Sequence, residues 1–270
     1  MKKLSELIVL IKGGGEVASS VAHRLHCNHL RVCLTEITDP LAVSRGTSFC
    51  EAVFDGKKTI EGVTAELVVL SRKQIHRVWQ DGNIPIVVDP ETSIKEKLKP
   101  DVLIDAVMAK LNTQVKINDA PLVIGLGPGF YADRDVDIVV ETNHSNNLGR
   151  IITAGKAEEN TGIPIAINGL AQERVIWAPR TGIFTTNRKI GDRVDANQIV
   201  GRVENRPLKA PISGMLRGLL RSGVEVTKNA KLIEVDPIND RAVCYLIRDK
   251  MRTISGGVLE AIMRKFNIAV

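Results

Sequence analysis

Residues 7–25 read LIVLIKGGGEVASSVAHRL, and this stretch decides the expected fold class. Residues 7–11 are apolar and rich in β-branched side chains, which predicts a buried strand. Lys12 and three glycines follow, and residues 16–26 then place apolar side chains at helical spacing. A second apolar strand is predicted at 31–36. The order strand, glycine-rich turn, helix and strand is typical of a parallel βαβ unit.

The same alternation continues through the first half of the chain. Apolar runs predict strands at 67–70, 84–88, 102–106, 122–124 and 136–141, and Ser71, a residue that can cap a helix, predicts a helix at 71–79. We therefore predict an α/β fold that begins with a Rossmann-like, doubly wound parallel sheet. Residues 1–115 are assigned to a Rossmann-like nucleotide-binding domain, and residues 116–175 to a second glycine-rich α/β segment.

The pattern changes near residue 175 to short β-like runs and turns. Residues 178–182 (APRTG) match residues 210–214 (APISG) at an offset of 32, and three further pairs keep that offset: Gly191 with Gly223, Val194 with Val226, and Asn197 with Asn229. This agreement indicates an internal duplication. We predict a small duplicated all-β domain over 176–236 and a C-terminal helical segment over 237–270, with helical spacing at 252–266 interrupted at 255–257.

Composition and charge exclude several classes of protein. The 270 residues are 44% hydrophobic and 25% charged, so the chain can bury a core without disulfides. The net charge of +6 is spread along the sequence without a block of like charges, which argues against a nucleic-acid partner. No apolar run approaches membrane-spanning length, so we predict no membrane partner.

The four cysteines are Cys27, Cys33, Cys50 and Cys244. They form no Cys-x-x-Cys pair, and no histidines lie near them at ligand spacing, so we predict neither a zinc site nor a disulfide framework. A reducing, cytoplasmic setting follows. We expect inert thiols, with Cys50 the one to test for reactivity because it lies in a more polar stretch.

The first glycine cluster predicts a cofactor-binding site. The motif Gly13-x-Gly15-x-x-Ala18, with Gly14 inside it, would let a pyrophosphate approach the helix N-terminus. Glu36 ends the second strand 21 residues after Gly15, where an acid bonds a ribose hydroxyl. Glu16 would compete with a phosphate for the helix dipole. Nucleotide binding and a turn kept for helix–strand packing both remain open.

The second glycine cluster, residues 125–129, reads GLGPG after a predicted strand. Gly125, Gly127 and Gly129 would let a ligand approach closely, so we include them among the cofactor-binding candidates. A flexible turn is the simpler interpretation.

Two polar groups follow this cluster. Asp133, Asp135 and Asp137 carry metal-ligating oxygens, yet solvated charges explain them more simply, so we predict no metal site. His144 lies in a polar loop after a strand and is a candidate acid–base group, with a surface histidine as the alternative.

Eight segments together resemble the YqeB family, a set of accessory proteins of selenium-dependent molybdenum hydroxylases. They are 12–25 (KGGGEVASSVAHRL), 35–43 (TEITDPLAV), 51–56 (EAVFDG), 124–130 (IGLGPGF), 140–142 (VET), 148–150 (LGR), 160–162 (NTG) and 256–261 (GGVLEA). The family's Rossmann-like part is similar to that of maturation factors for xanthine and carbon monoxide dehydrogenases. The resemblance implies a role in maturing a xanthine or purine dehydrogenase-type molybdenum hydroxylase, which would be the partner. It carries over no catalytic residue.

The duplicated segment resembles a barrel-sandwich hybrid, the fold of biotinyl and lipoyl carriers. In those domains a hairpin between the halves presents a lysine for modification. Here the linking residues 203–210 read VENRPLKA and lack a Met-Lys-Met or Asp-Lys-Ala tip. We therefore expect an unmodified structural or docking module.

These observations together favour a maturation factor that binds a nucleotide or a molybdopterin dinucleotide, whose pyrophosphate resembles that of other dinucleotides. The alternatives are an NAD(P)-dependent oxidoreductase, for which no Tyr-x-x-x-Lys pair is present, and a ligand-free scaffold. Whether the chain catalyses a reaction, and whether it forms a homodimer, stays open.

Overall fold

The computed structural model describes residues 2–267, which form two compact units. The large unit comprises the chain up to Pro40, Ser48–Thr161 and the chain from Ile247. The small unit comprises Leu41–Thr47 and Gly162–Leu246. No helix among the described residues combines the length and the apolar character needed to cross a membrane.

Within the described residues, the large unit contains eleven strands and five α-helices. Its strands are β1 (Ile8–Lys12), β2 (Arg31–Glu36), β3 (Lys57–Ile60), β4 (Val63–Val68), β5 (Ile84–Val88), β6 (Val102–Asp105), β7 (Leu122–Leu126), β8 (Tyr131–Ala132), β9 (Ile138–Val140), β10 (Ile151–Ile152) and β11 (Gly155–Lys156). Its helices are α1 (Glu16–Cys27), α2 (Ala52–Asp55), α3 (Arg72–Gln80), α4 (Lys95–Leu98) and α5 (Asp249–Phe266).

Nine of these strands form one mixed sheet in the order β10-β9-β7-β6-β1-β2-β5-β4-β3. Neighbours from β9 to β4 pair in parallel, whereas β3 and β10 pair antiparallel at the two edges. The turn between β3 and β4 places Glu61 and Gly62 at positive φ (43° and 83°), the backbone that closes a tight hairpin. β8 and β11 form a separate two-stranded sheet.

The central strands are buried on both faces, as expected where helices cover a parallel sheet. In β1, Val9 and Ile11 belong to a core cluster that includes Val21 of α1 and residues of α5. Leu10, between them, belongs to a second cluster that includes Ile75 of α3. The apolar run at residues 7–11 therefore serves two cores at once.

Helix α5 is continuous, so the interruption predicted at residues 255–257 does not occur. A Cβ at Gly257 would collide with the carbonyl oxygen of Gly149, whereas one at Gly256 would meet no heavy atom within 4 Å. Gly257 is thus a point of close approach between α5 and the loop that contains Gly149.

The small unit consists of two four-stranded antiparallel sheets, in the orders β12-β19-β17-β14 and β16-β15-β13-β18. Phe184, Val203, Leu216 and Val235 are among its buried core residues. The strands are β12 (Val175–Trp177), β13 (Gly182–Thr185), β14 (Arg193–Val194), β15 (Ile199–Val203), β16 (Arg206–Lys209), β17 (Gly214–Leu219), β18 (Val224–Val226) and β19 (Lys231–Asp236).

Charge is divided unequally between the units. The small unit holds 14 basic and 8 acidic residues, and the large unit holds 23 of each, so the whole net charge of +6 lies in the small unit. Inside the small unit, Arg174 and Glu234 form a buried ion pair at 2.6 Å. The sequence showed the charge as spread along the chain, because the unit boundaries are not visible there.

The predicted fold class was wrong in both parts. The large sheet is mixed, with antiparallel strands at both edges, and the described connections 106–121 and 127–137 contain no α-helix, so this part lacks the regular strand–helix alternation that was predicted. In the small unit, each repeated segment contributes one strand to each sheet, β13 and β14 from the first and β17 and β18 from the second, and the described residues do not show a duplicated barrel-sandwich hybrid domain. The physical reason is that apolar periodicity and repetition locate strands but leave their partners and directions undetermined.

Candidate functional site

The parallel strands place their carboxyl ends at one edge of the large sheet. Lys12, the last residue of β1, lies opposite Thr35 of β2 and Asp105 of β6, and Asp105 lies opposite Gly125 of β7. The two glycine clusters therefore share this edge, which we call the carboxyl edge. Ligands of open α/β sheets bind outside the carboxyl ends of the strands.

The first glycine turn is tied to β2 by two hydrogen bonds. The Gly13 N–H donates to the carbonyl of Thr35 (2.8 Å), and Gly13 adopts a φ of +100° that favours glycine. The Gly14 N–H donates to Oε1 of Glu36 (2.8 Å). The structure thus brings the predicted residues Gly14 and Glu36 into contact, and the Glu36 carboxylate stabilises the turn by accepting one of its N–H groups.

Gly15 differs from its neighbours because space is open beside it. It is the N-cap of α1, with a φ of −68° and a ψ of −175° that other residues also adopt. A Cβ at Gly15 would meet no heavy atom within 4 Å, whereas one at Gly14 would lie 3.1 Å from the backbone nitrogen of Cys50. Packing therefore explains glycine at Gly14, while Gly15 leaves room for a ligand at the start of the helix.

Glu36 can accept further hydrogen bonds although it already stabilises the turn. Its Oε2 accepts the Ile37 N–H (2.7 Å). Burial raises the pKa of Glu36, and the hydrogen bonds from Ile37 and Gly14 oppose that rise. A carboxylate offers about four lone-pair positions, and these two bonds use two of them. A ribose hydroxyl can therefore still donate to Glu36.

Asp105 anchors the connection that follows β6. Its buried carboxylate accepts the Val107 N–H (3.1 Å) and the hydroxyl of Thr113, and the Lys12 ammonium donates to the Thr113 carbonyl (2.9 Å). Burial raises the pKa of Asp105, and the bonds from Thr113 and Val107 and the Lys12 charge oppose it. We did not predict this group from the sequence, although Asp105, the last residue of β6, lies one residue before the end of the strand predicted at 102–106.

Glu141 anchors the loop that follows β9, as Asp105 anchors the connection after β6. Its Oε1 accepts the N–H groups of Thr142 and Asn143, and its Oε2 accepts the Glu158 N–H, each at 2.7 Å. The loop held in this way includes His144. Its side chain is exposed, and its backbone N–H donates to Oδ1 of Asn143 (3.0 Å). No acid–base partner of His144 appears among these contacts.

Lys250 of α5 brings a cation to the start of α1. It is half-buried and lies within electrostatic range of Glu16 and Glu141. Burial lowers the pKa of Lys250, and the two carboxylates oppose that change. Glu16, expected to compete with a phosphate for the helix dipole, therefore has a positive charge nearby that reduces its repulsion of an anion.

The glycines of the second cluster are each in close contact with the chain itself. A Cβ at Gly125 would collide with the ring of Phe130, and one at Gly129 would lie 2.6 Å from the Ala109 carbonyl oxygen. Gly127 has a φ of +83°, and a Cβ there would lie 2.8 Å from the Thr142 hydroxyl. These contacts explain all three glycines by packing, without a ligand.

Asp135 and Asp137, two of the three acidic residues after this cluster, hold local structure. Asp135 pairs with Arg134 (2.9 Å), and Oδ2 of Asp137 accepts the Val123 N–H (2.7 Å). Among residues 2–267, no group of three or more His, Cys, Asp or Glu side chains is placed to hold a metal ion.

The exposed cysteine is not the one expected from the sequence. Cys50 is buried, and its N–H donates to the Gly14 carbonyl (2.8 Å), so it is part of the glycine turn. Cys33 and Cys244 are also buried, and burial raises the pKa of the Cys33 thiol. Cys27, at the end of α1, is exposed. The polarity of neighbouring residues was a poor guide, because tertiary packing decides exposure.

A match of 256 residues, 41% identical, relates the chain to the uncharacterized protein YqeB of Escherichia coli (strain K12). It covers 95% of this chain and 47% of that protein, so the chain spans about half the length of the curated relative. This similarity supports membership of the YqeB family. No protein-family model matches the chain.

Three solved structures show a weak likeness. The ectoine utilization protein EutE (DoeB) from Ruegeria pomeroyi is 9% identical, with a TM-score of 0.26 over 85% of each chain. An aspartoacylase family protein from Mesorhizobium loti is 10% identical, with a TM-score of 0.26 over 85% of this chain and 84% of that one. A succinylglutamate desuccinylase from Silicibacter sp. is 12% identical, with a TM-score of 0.25 over the same shares. Likeness at this level supports no inference for this chain.

Proposed function

We propose that this chain, a relative of YqeB, is an accessory protein in the maturation of a molybdenum hydroxylase and binds a nucleotide or molybdopterin dinucleotide at the Gly13–Gly15 turn. The observation that carries the proposal is the open space at Gly15, where α1 begins at the carboxyl edge. A diphosphate there would lie against the positive end of a twelve-residue helix.

The neighbouring charges favour the same ligand. Lys250 supplies a cation near the start of α1, and the remaining lone pairs of Glu36 suit a ribose hydroxyl. A ligand with a diphosphate next to a ribose would use both groups. Molybdopterin dinucleotides and pyridine dinucleotides share that arrangement. This geometry therefore favours the class of dinucleotides and does not distinguish which nucleobase the ligand carries.

The accessory role and the partner rest on the sequence resemblance to a family linked with selenium-dependent molybdenum hydroxylases. The excess positive charge of the small unit suits contact with an acidic protein surface. A cytoplasmic setting agrees with this role. This chain spans 47% of the length of its relative. Any activity that requires the full length of such a protein is therefore proposed for this chain and is not shown by the similarity.

Calorimetric titration with molybdopterin cytosine dinucleotide, CTP, ATP, NAD and inorganic pyrophosphate tests the ligand. We expect binding of at least one dinucleotide, and weakening of that binding by pyrophosphate. No heat with any of them, at a protein concentration where circular dichroism shows the folded chain, would contradict ligand binding. A spectral change of NADPH with a substrate would instead favour an oxidoreductase.

The partner is tested in cells. The activity, molybdenum content and selenium content of a xanthine dehydrogenase-type hydroxylase should fall when the gene for this protein is deleted, and should recover when it is restored. Unchanged activity and cofactor content would leave ligand binding intact but refute the maturation role.

A further inference from the structure

We infer that Cys27 is a reactive thiol that exchanges with small anionic disulfides and that His23 is its base. This site lies at the last turn of α1, apart from the Gly13–Gly15 turn at the other end of the helix. All four cysteines are among the described residues, and Cys27 is the exposed one. The inference is independent of the proposed function.

The two side chains form a nucleophile–base pair. Residues four apart on a helix face the same side, and Cys27 Sγ lies 3.9 Å from Nδ1 of His23. The other ring nitrogen of His23, Nε2, lies 3.3 Å from the carbonyl oxygen of Glu61. Because a carbonyl only accepts hydrogen bonds, Nε2 carries the hydrogen and Nδ1 is left with a lone pair facing the thiol.

The group that orients the base is itself fixed. The Glu61 carboxylate accepts two bonds from Nη2 of Arg252 (2.8 Å each) and one from the Ile247 N–H (2.8 Å). The carbonyl of Glu61 is therefore held in place by α5 and the residues before it. A nucleophile, a base and a third group that orients the base is the arrangement of activated cysteines in general.

A cavity of about 160 Å³ adjoins the pair. Arg24 and Arg252 both line it, together with His23 and Cys27. The Arg24 guanidinium is held by the Ser255 hydroxyl (2.8 Å) and the Arg252 carbonyl (3.0 Å), so its position is set by the fold. Because the Arg252 guanidinium is already paired with the Glu61 carboxylate, Arg24 is the group that would attract a carboxylate on the incoming molecule.

The exchange step balances without a further reactant. Nδ1 of His23 takes the proton of the Cys27 thiol as Sγ attacks one sulfur of a disulfide, R–S–S–R. A bond forms between Sγ and that sulfur while the original S–S bond breaks, and the leaving thiolate takes the proton from His23. Cys27 is oxidised to the mixed disulfide, and the released R–SH is the reduced product.

The reaction is tested on the full chain with two probes, the dianionic 5,5′-dithiobis(2-nitrobenzoate) and the neutral 2,2′-dithiodipyridine. Each rate is divided by the rate of free cysteine with the same probe. We expect one thiol per native chain to react at least about tenfold faster than free cysteine. This rate ratio should be larger for the anionic probe than for the neutral one, and added salt should reduce the difference between the two probes.

Three variants assign the groups. Cys27→Ser should remove the fast thiol, and His23→Gln should slow it at least about tenfold. His29→Asn is the matched control: His29 lies beside the same helix end with a φ of +62°, which asparagine tolerates, and it should leave the rate unchanged. A native Cys27 that reacts no faster than free cysteine would overturn the inference, and so would a rate that His29→Asn and His23→Gln lower equally.

Discussion

Replacing Gly15 by aspartate or asparagine separates ligand binding from folding at the carboxyl edge. Both side chains fit, because a Cβ at Gly15 meets no heavy atom within 4 Å and the backbone is not strained. Both are favourable N-cap residues and should raise the stability of α1 by a few tenths of a kcal/mol over glycine. The two variants have the same shape and differ by one negative charge.

That charge sets the expected magnitude. Two unit charges about 5 Å apart interact with about 3 kcal/mol at an effective dielectric constant of about 20. Gly15 is partly exposed, so solvent and salt reduce this value. We expect Gly15→Asp to weaken binding of a diphosphate ligand by about 1.5–3 kcal/mol relative to Gly15→Asn, which is roughly tenfold to hundredfold in Kd.

Calorimetry with the dinucleotide that binds the wild-type protein measures the difference, and thermal unfolding confirms that both variants fold. The ratio between the two variants should shrink as salt is added, because the repulsion is electrostatic. Equal affinity of the wild-type protein and of the Gly15→Asn and Gly15→Asp variants is the result that would refute a diphosphate at this turn. The ligand would then bind elsewhere.

Three further changes test the physical account of the fold. Burial raises the pKa of Asp105, so the stability that its protonated form contributes is full below the unfolded pKa of about 3.9 and is lost as the pH rises through the folded pKa. In denaturant unfolding, the stability of Asp105→Asn relative to the wild type should therefore increase as the pH rises above about 4. A pH-independent difference between the two would contradict this. Gly257→Ala should lower the melting temperature because its methyl group meets a facing carbonyl, whereas its control, Gly256→Ala, should gain up to about 1 kcal/mol of helix stability; equal effects would refute the close approach. Glu234→Gln should cost about 3–5 kcal/mol of unfolding free energy because Arg174 stays buried without its counter-charge, and a loss below about 1 kcal/mol would show that the pair matters little.

Much of the first half of the large unit could be predicted from the sequence. The strands at 31–36 and 84–88 have the predicted bounds, and α1 extends one residue beyond its prediction. These segments are long apolar runs or clear helical repeats with glycine or Asp-Pro at their ends, so local sequence determines them.

Other features depend on contacts that local sequence does not encode. β3 has the sequence Lys-Lys-Thr-Ile and lies at the sheet edge, where one strand partner suffices, so its apolar signal is weak. The role of Asp105 depends on Thr113, which the fold brings back across the carboxyl edge. The contact between Cys27 and His23 has helical spacing and could have been noticed, but the orienting Glu61 carbonyl could not.

The carboxylates of Glu36, Asp105 and Glu141 hold the loops of the carboxyl edge mostly through main-chain N–H groups, which every residue except proline possesses. Consequently, most of these hydrogen bonds do not involve the side chains of the loop residues. An engineer could vary them to change the molecule that is recognised, while the three acids keep the loops fastened to an unaltered sheet.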